Sequence, residues 1–339
     1  ESNQAYAIES LLSPMMVSPL RKDGTVRDMT EREYNNSLNN LSLLLSNIDL
    51  SNITQKQLTN LLTHPALIEA EKIMFSQDIV DTKINGTLLR NFINKSISYS
   101  KGNVNTDKKL TFLIGLPASG KSFFAEQLAE KNKAVIIDSD DAKKLMPQFN
   151  NGLGANATQK MSSKYAAAAL DNISNTGANI IIPSVGASVK YQSIEKKINM
   201  LKQKGYETDI ILVDTDFNHA LVRMLNRFVK TGRLIATDYF LDIENTPRDT
   251  YNRLKESGLI QNYAFLNNNF AQGEQTVEED PAKLLQEYGE PRQVGIGDVR
   301  GSYEERSDLA SAIEDAEREI ELQKQKSIEA GVTPVISDN

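Results

Sequence analysis

Residues 115–122 read Gly-Leu-Pro-Ala-Ser-Gly-Lys-Ser, a match to G-x-x-x-x-G-K-[ST]. They stand directly after the apolar run Leu110–Ile114 and directly before an amphipathic stretch from Phe123 to Lys131. No other feature of the chain constrains its fold as tightly. The glycines let the backbone turn sharply, so that successive N–H groups and the N-terminus of the following helix converge on one point, which suits phosphate oxygens. Lys121 then reaches the outer phosphates of a nucleotide and the Ser122 hydroxyl is placed for Mg2+. The expected nucleotide contacts are Gly115, Pro117, Ala118, Ser119, Gly120, Lys121, Ser122 and Phe123, with ATP or GTP as the ligand. A plain glycine turn joining a strand to a helix is the competing reading.

A loop of this kind needs a strand to end and a helix to begin at one edge of a sheet, and the sequence around it supplies both. Short apolar runs at Leu110–Ile114, Ala134–Ile137, Asn179–Ile182, Ile210–Val213 and Tyr263–Leu266 alternate with longer amphipathic stretches. That alternation predicts an α/β fold in which a P-loop kinase-type parallel sheet over residues 106–270 is sandwiched by helices. Residues 1–105 lack strong strand signals. Leu38, Leu41, Leu44 and Leu45 behind Thr30 predict a helix over about 31–46, and a second helical stretch covers 55–75 with a break at Pro65. This is an all-helical N-terminal region, accessory or autoinhibitory, joined by a polar linker over 98–107. Residues 271–339 carry 17 acidic against 7 basic side chains and read as an acidic linker followed by a charged helical tail over 303–329. A chain that begins at Glu1 rather than Met is expected to be a processed product or a piece of something longer.

Composition removes several chemistries. Cysteine is absent and the histidines are His64 and His219 alone, which argues against disulfides, thiolate metal sites, cysteine nucleophiles and Ser-His-Asp hydrolysis. No apolar run approaches the ~18 residues of a membrane helix, and no signal peptide is visible. A soluble cytoplasmic protein without a membrane partner is expected. The near-neutral body outside the tail argues mildly against duplex nucleic acid as a partner.

The second apolar run, Val135-Ile136-Ile137, ends in Asp138-Ser139-Asp140-Asp141, which places carboxylates at the carboxyl end of a strand, where parallel sheets open their sites. One carboxylate there can order Mg2+ through water and another can take a proton from an attacking hydroxyl. A helix cap is the alternative for Asp138. Farther on, Arg223 and Arg227 lie four apart in the stretch Ala220–Lys230, ahead of Gly232-Arg233. An arginine beyond a glycine suits a lid that closes over transferring phosphate, although solvated surface arginines are the commoner case.

Taken together these residues resemble the zeta-toxin-like kinases of the P-loop superfamily. The resemblance covers roughly residues 108–269 and rests on the phosphate loop, Ile137-Asp138-Ser139-Asp140 with Lys143 and Pro147-Gln148-Phe149, Lys204-Gly205-Tyr206-Glu207, Arg227, Arg233, and Ser257-Gly258-Leu259. It implies bacterial or phage origin and ATP-dependent phosphorylation of a hydroxyl, in known members often on UDP-N-acetylglucosamine. It also implies Asp140 as proton acceptor, with Lys121, Arg227 and Arg233 on the phosphates. Ser122 and Asp138 are the expected Mg2+ ligands, and an antitoxin-like helical partner or a larger assembly is the expected company.

Two departures stand out. Toxin members end the third strand in a glutamate that binds the sugar nucleotide, whereas here Ile180-Ile181-Ile182 runs into Pro183-Ser184-Val185-Gly186. A related branch carries acidic and histidine residues where this chain has Gln148 and Thr158-Gln159-Lys160-Met161. Three readings therefore compete: a kinase acting on a small molecule or nucleotide sugar, a polynucleotide 5'-hydroxyl kinase, and a degenerate nucleotide-binding domain within a larger structural or virion-associated polypeptide.

Overall fold

The structure, a computed structural model, describes residues 29–269 and 276–285, all within one compact unit. Among the described residues four helices come first. α1 (Glu31–Ser46) starts at a capping box in which Glu33 N–H donates to the Thr30 hydroxyl while Thr30 N–H donates to the Glu33 carboxylate. α2 (Gln55–Leu62) repeats the device with Thr54 and Gln57. α3 (Pro65–Ser76) opens on Pro65, with the His64 ring accepting from Ala66 N–H at 3.2 Å. The break expected at Pro65 is thus a helix start. α4 (Gly86–Ser98) was not anticipated, because its glycine and β-branched residues give little helical signal. Asn85 caps it, and the buried Phe92 fastens it to the core.

The strands alternate with helices from there: β1 (Lys109–Ile114), α5 (Lys121–Asn132), β2 (Val135–Ile136), α6 (Ser139–Lys144), α7 (Ala155–Ser174), β3 (Ile180–Ser184), α8 (Tyr191–Gln203), β4 (Glu207–Asp214), α9 (Phe217–Thr231), α10 (Thr237–Asp242), α11 (Thr246–Glu256), β5 (Asn262–Asn267) and β6 (Thr276–Glu279). The sheet order is β2-β3-β1-β4-β5-β6. The first five strands are parallel, with Leu110 opposite both Ile180 and Thr208, and β6 pairs antiparallel with β5. The sheet is therefore mixed rather than purely parallel. It also runs past residue 270, where a linker was expected, because β6 is a polar edge strand with no apolar run to announce it. The expected tail helix over 303–329 lies outside the described residues.

Alternation along the strands divides the core in two. Leu110, Phe112 and Ile114 join Ile180, Ile182, Ile210 and Leu212 on one face, under α7, α8 and Phe92. Leu113, Ile181, Ile211 and Val213 face the other way, onto Phe124 and Leu128 of α5. α4 packs beside β2, the strand at the sheet's edge, and covers backbone that would otherwise be free to pair. A third cluster joins Leu41, Leu45, Leu61 and Leu67 of the first three helices to Leu221, Leu225 and Phe228 of α9 and to Leu116 just past β1. The N-terminal helices thus share buried cores with the sheet domain and reach the loops at its carboxyl end.

Candidate nucleotide site

β1 is the central strand from which the chain first leaves for one side of the sheet and later returns to the other, so its carboxyl end is where such sheets leave a crevice. Gly115 sits so close to β4 that a Cβ there would lie 2.1 Å from the Val213 carbonyl oxygen. Gly120, at φ 95°, supplies the left-handed turn into α5, and Ala118 at φ 62° takes the same region without glycine's freedom. Asn268, beyond β5, braces the loop: its side-chain amide donates to the Ser119 carbonyl at 2.6 Å, and its N–H donates to the Asp214 carbonyl at 2.7 Å. The Lys121 ammonium donates to the Gly115 and Leu116 carbonyls at 2.7 and 2.6 Å. Burial pushes its pKa down to about 7, with Asp138 and Asp140 opposing and Arg227 and Arg233 assisting. Ser122 and Phe123 are exposed on the first turn of α5.

Asp138 and Asp140 have opposite environments. Asp138 caps α6 by accepting the Asp140 N–H at 2.9 Å, so the cap reading holds for it. Burial, and then the charges of Asp140 and Asp141, push its pKa up to about 6. Burial acts the same way on Asp140, but Arg233 and Lys143 outweigh it and hold that carboxyl well below the ordinary range. Arg233 pairs directly with Asp140, and Lys143, itself buried, approaches it at 3.1 Å. Arg227 contributes a guanidinium whose Nε and Nη2 are buried without a hydrogen-bond partner. Burial first, and then Arg233, lower its pKa to about 10, while Asp140 and Asp138 pull the other way. Arg223, one turn earlier, points elsewhere, to the Thr215 hydroxyl at 3.3 Å and the Asn268 carbonyl at 3.4 Å. The structure thus gathers Lys121, Asp138, Asp140, Arg227 and Arg233 and sends Arg223 to the brace behind the loop.

Sequence reasoning missed the turn that seats Arg233. Asn150 and Asn151 take left-handed conformations at φ 43° and 52°, and a Cβ on Gly152 would come 2.5 Å from the Arg233 Cα. Asn-Asn-Gly-Leu-Gly is a turn signal, but nothing in it names the partner. Gln148 is exposed at the start of this turn, and Gln159 is exposed on α7. The third strand ends, as read, without a carboxylate, where Ser184 Oγ accepts the Gly186 N–H at 3.2 Å. At the end of β4, Asp214 accepts from Arg248 Nε on Oδ1 at 3.0 Å and from Nη2 on Oδ2 at 2.5 Å, a bidentate pair that no motif announced.

Oxygen donors from Ser122 and Asp138 suit a hard cation such as Mg2+. Among the described residues no cluster of three or more His, Cys, Asp or Glu side chains forms a metal cage, so phosphate oxygens and water would complete the shell. No helix among the described residues is long and apolar enough to cross a membrane.

A phosphate loop after the central strand of this sheet, flanked by helices, defines a P-loop kinase-like architecture. The chain belongs to the zeta-toxin family, whose family model matches residues 97–272. The solved structures it is similar to include one from the PezAT chromosomal toxin–antitoxin system of the human pathogen Streptococcus pneumoniae, at 18% identity and a TM-score of 0.45, covering 55% of this chain and 78% of that one. Another is AvrRxo1-ORF1:-ORF2 with ATP, at 15% identity and a TM-score of 0.38, covering 75% and 73%. No curated protein matches the sequence.

Proposed function

We propose that this chain is an ATP-dependent phosphotransferase of zeta-toxin type that phosphorylates a hydroxyl of a small molecule. The observation that carries the reading is the Arg227 guanidinium, whose Nε and Nη2 are buried without a partner, set among the charges of Asp138, Asp140 and Arg233. Buried cationic donors without acceptors are costly, and a phosphate supplies the missing oxygens. In the reaction, Lys121 exchanges the Gly115 and Leu116 carbonyls for phosphate oxygens, and Arg227 and Arg233 take the outer phosphate. Ser122 and Asp138 would hold Mg2+, which when bound would neutralise charge on the phosphates. The acceptor oxygen bonds to the γ-phosphorus as the bridging oxygen leaves with ADP, and the hydroxyl proton passes to Asp140 once Arg233 has turned to the phosphate.

UDP-N-acetylglucosamine is the acceptor to try first on the family resemblance, although β3 lacks the glutamate that binds it in toxin members. A second reading has a specific observation in its favour: Asp140 is pinned by two cations, which is a poor state for a base, and this supports nucleotide binding without transfer. Asp140→Asn separates the two. A kinase loses about a hundredfold or more in turnover, with ATP affinity nearly unchanged. Loss of nucleotide binding in this variant reassigns Asp140 to metal or structure. A wild-type chain that binds ATP yet phosphorylates no sugar, nucleotide sugar or nucleic-acid hydroxyl favours the non-catalytic reading.

A further inference from the structure

Arg233 sits in the segment Gly232–Ala236, between the end of α9 and the start of α10. Its near end is set by Gly232, at φ 74°, whose N–H donates to the Phe228 carbonyl at 2.8 Å, and by the close approach of Gly152. In its middle, Leu234 is fully buried in the cluster that contains Leu41, Leu61 and Leu67. The far end is tied to the N-terminal helices by one side chain. Glu71, on α3, accepts both the N–H and the hydroxyl of Thr237 on the same oxygen, each at 2.6 Å.

We infer that Glu71 is a positioning residue: by clamping Thr237 it fixes the downstream end of the Arg233 segment and so sets where the guanidinium lies over the phosphates. The inference rests on the kinase reading for the task of Arg233, and on the geometry alone for the clamp. Two short bonds to one carboxylate are of the strong, charge-assisted kind. Thr237 is buried, so removing its acceptor leaves two polar groups without a partner and makes the present path of the segment unfavourable. A shift of ~1 Å in a phosphate-contacting arginine is enough to matter for transfer. Glu71 itself is bound to Thr237, beyond the segment that carries Arg233, and acts only through it. On this view the N-terminal helices help to build the site.

The test uses the full chain with adenylyl imidodiphosphate and Mg2+, titrated by calorimetry, together with amide hydrogen exchange in the free protein. Arg233→Ala is expected to raise Kd about tenfold and Glu71→Ala about fivefold, while Glu71→Gln, which keeps an acceptor oxygen, stays near wild type. In the Arg233→Ala background, Glu71→Ala adds nothing further, since the clamp then has no guanidinium to place. Exchange over residues 232–237 quickens in Glu71→Ala but not in Glu71→Gln, with β1 and α5 unchanged. Equal, additive losses in the two backgrounds overturn the inference, as does unaltered exchange over 232–237. If Glu71→Ala does not fold, Thr237→Val, which removes only the hydroxyl donor, is measured in the same cycle with the same outcomes. A wild-type chain that binds no nucleotide sinks the kinase reading, and the exchange arm still decides the clamp.

Discussion

The phosphate loop and the Asp140–Arg233 pair stand side by side at the carboxyl end of one sheet, yet they are held in place differently. The loop is eight consecutive residues whose shape follows from two glycines, a strand before them and a helix after them. Its partners are main-chain groups of β4 and the Asn268 brace. The pair joins side chains 93 positions apart, and its placement depends on the Asn150–Gly154 turn, on Leu234 in a buried cluster and on Glu71 from the N-terminal helices. The difference teaches that binding phosphate and aiming charge at it are separable properties of this molecule, one local and one distributed.

The largest expected effect breaks the local half. In Gly115→Ala the new methyl would stand 2.1 Å from the Val213 carbonyl, so the loop and β4 must part. A loss of about 3 kcal/mol in unfolding free energy, with nucleotide binding abolished in a calorimetric titration, is expected. Full retention of ATP affinity would show that the loop is less dependent on this contact than its geometry indicates.

Gly152→Ala strikes the distributed half. At φ 105°, with its Cβ 2.5 Å from the Arg233 Cα, the variant is strained by roughly 1–2 kcal/mol and pushes Arg233 off Asp140. Nucleotide affinity should fall about tenfold, while the exchange protection of residues 115–122 stays as in wild type. If protection of the phosphate loop collapses as well, the two halves are not separable.

The smallest expected effect is an acid sensitivity of the N-terminal helices. His64 caps α3, the helix that bears Glu71, and burial pulls its pKa down to about 4 from an ordinary 6.5. The unfolded chain therefore binds the proton more readily than the folded one between those values. Stability from this group is fully present above pH ~6.5 and is lost as pH falls toward 4, by about 1 kcal/mol at pH ~5.5. His64→Asn, which keeps a cap acceptor without the titration, should flatten that part of the Tm-against-pH curve. An unchanged slope would assign the acid sensitivity to other groups.

Much of the framework was legible because its signals are short-range. Thr30 caps its helix as expected, the stretch read over 55–75 divides at Pro65 into two helices, and the five parallel strands coincide with the apolar runs to within a few residues at each end. β6 and α4 were not legible, since Thr276–Glu279 is a polar edge strand and Gly86–Ser98 is a helix only because Phe92 has a core to enter. Arg223 and Arg227 look alike in sequence at a helical spacing. Only the fold, which brings Thr215 after β4 and Asn268 after β5 to Arg223, sends the first to Asn268, while Nε and Nη2 of the second are buried without a partner in the field of Asp140 and Arg233.

The phosphate loop, the alternation of the five parallel strands with helices, the carboxylates at the end of β2 and the family could all be read from the chain, because each depends on residues adjacent in it or repeated at a fixed period. The tertiary structure alone decided which arginine faces which acid, that Lys143 and Arg233 converge on Asp140, and that Glu71 on α3 reaches Thr237. The physical reason is that these are contacts between side chains far apart in the chain. Their geometry is set by how the buried faces of separate elements fill one another's space, and no local pattern encodes that fit.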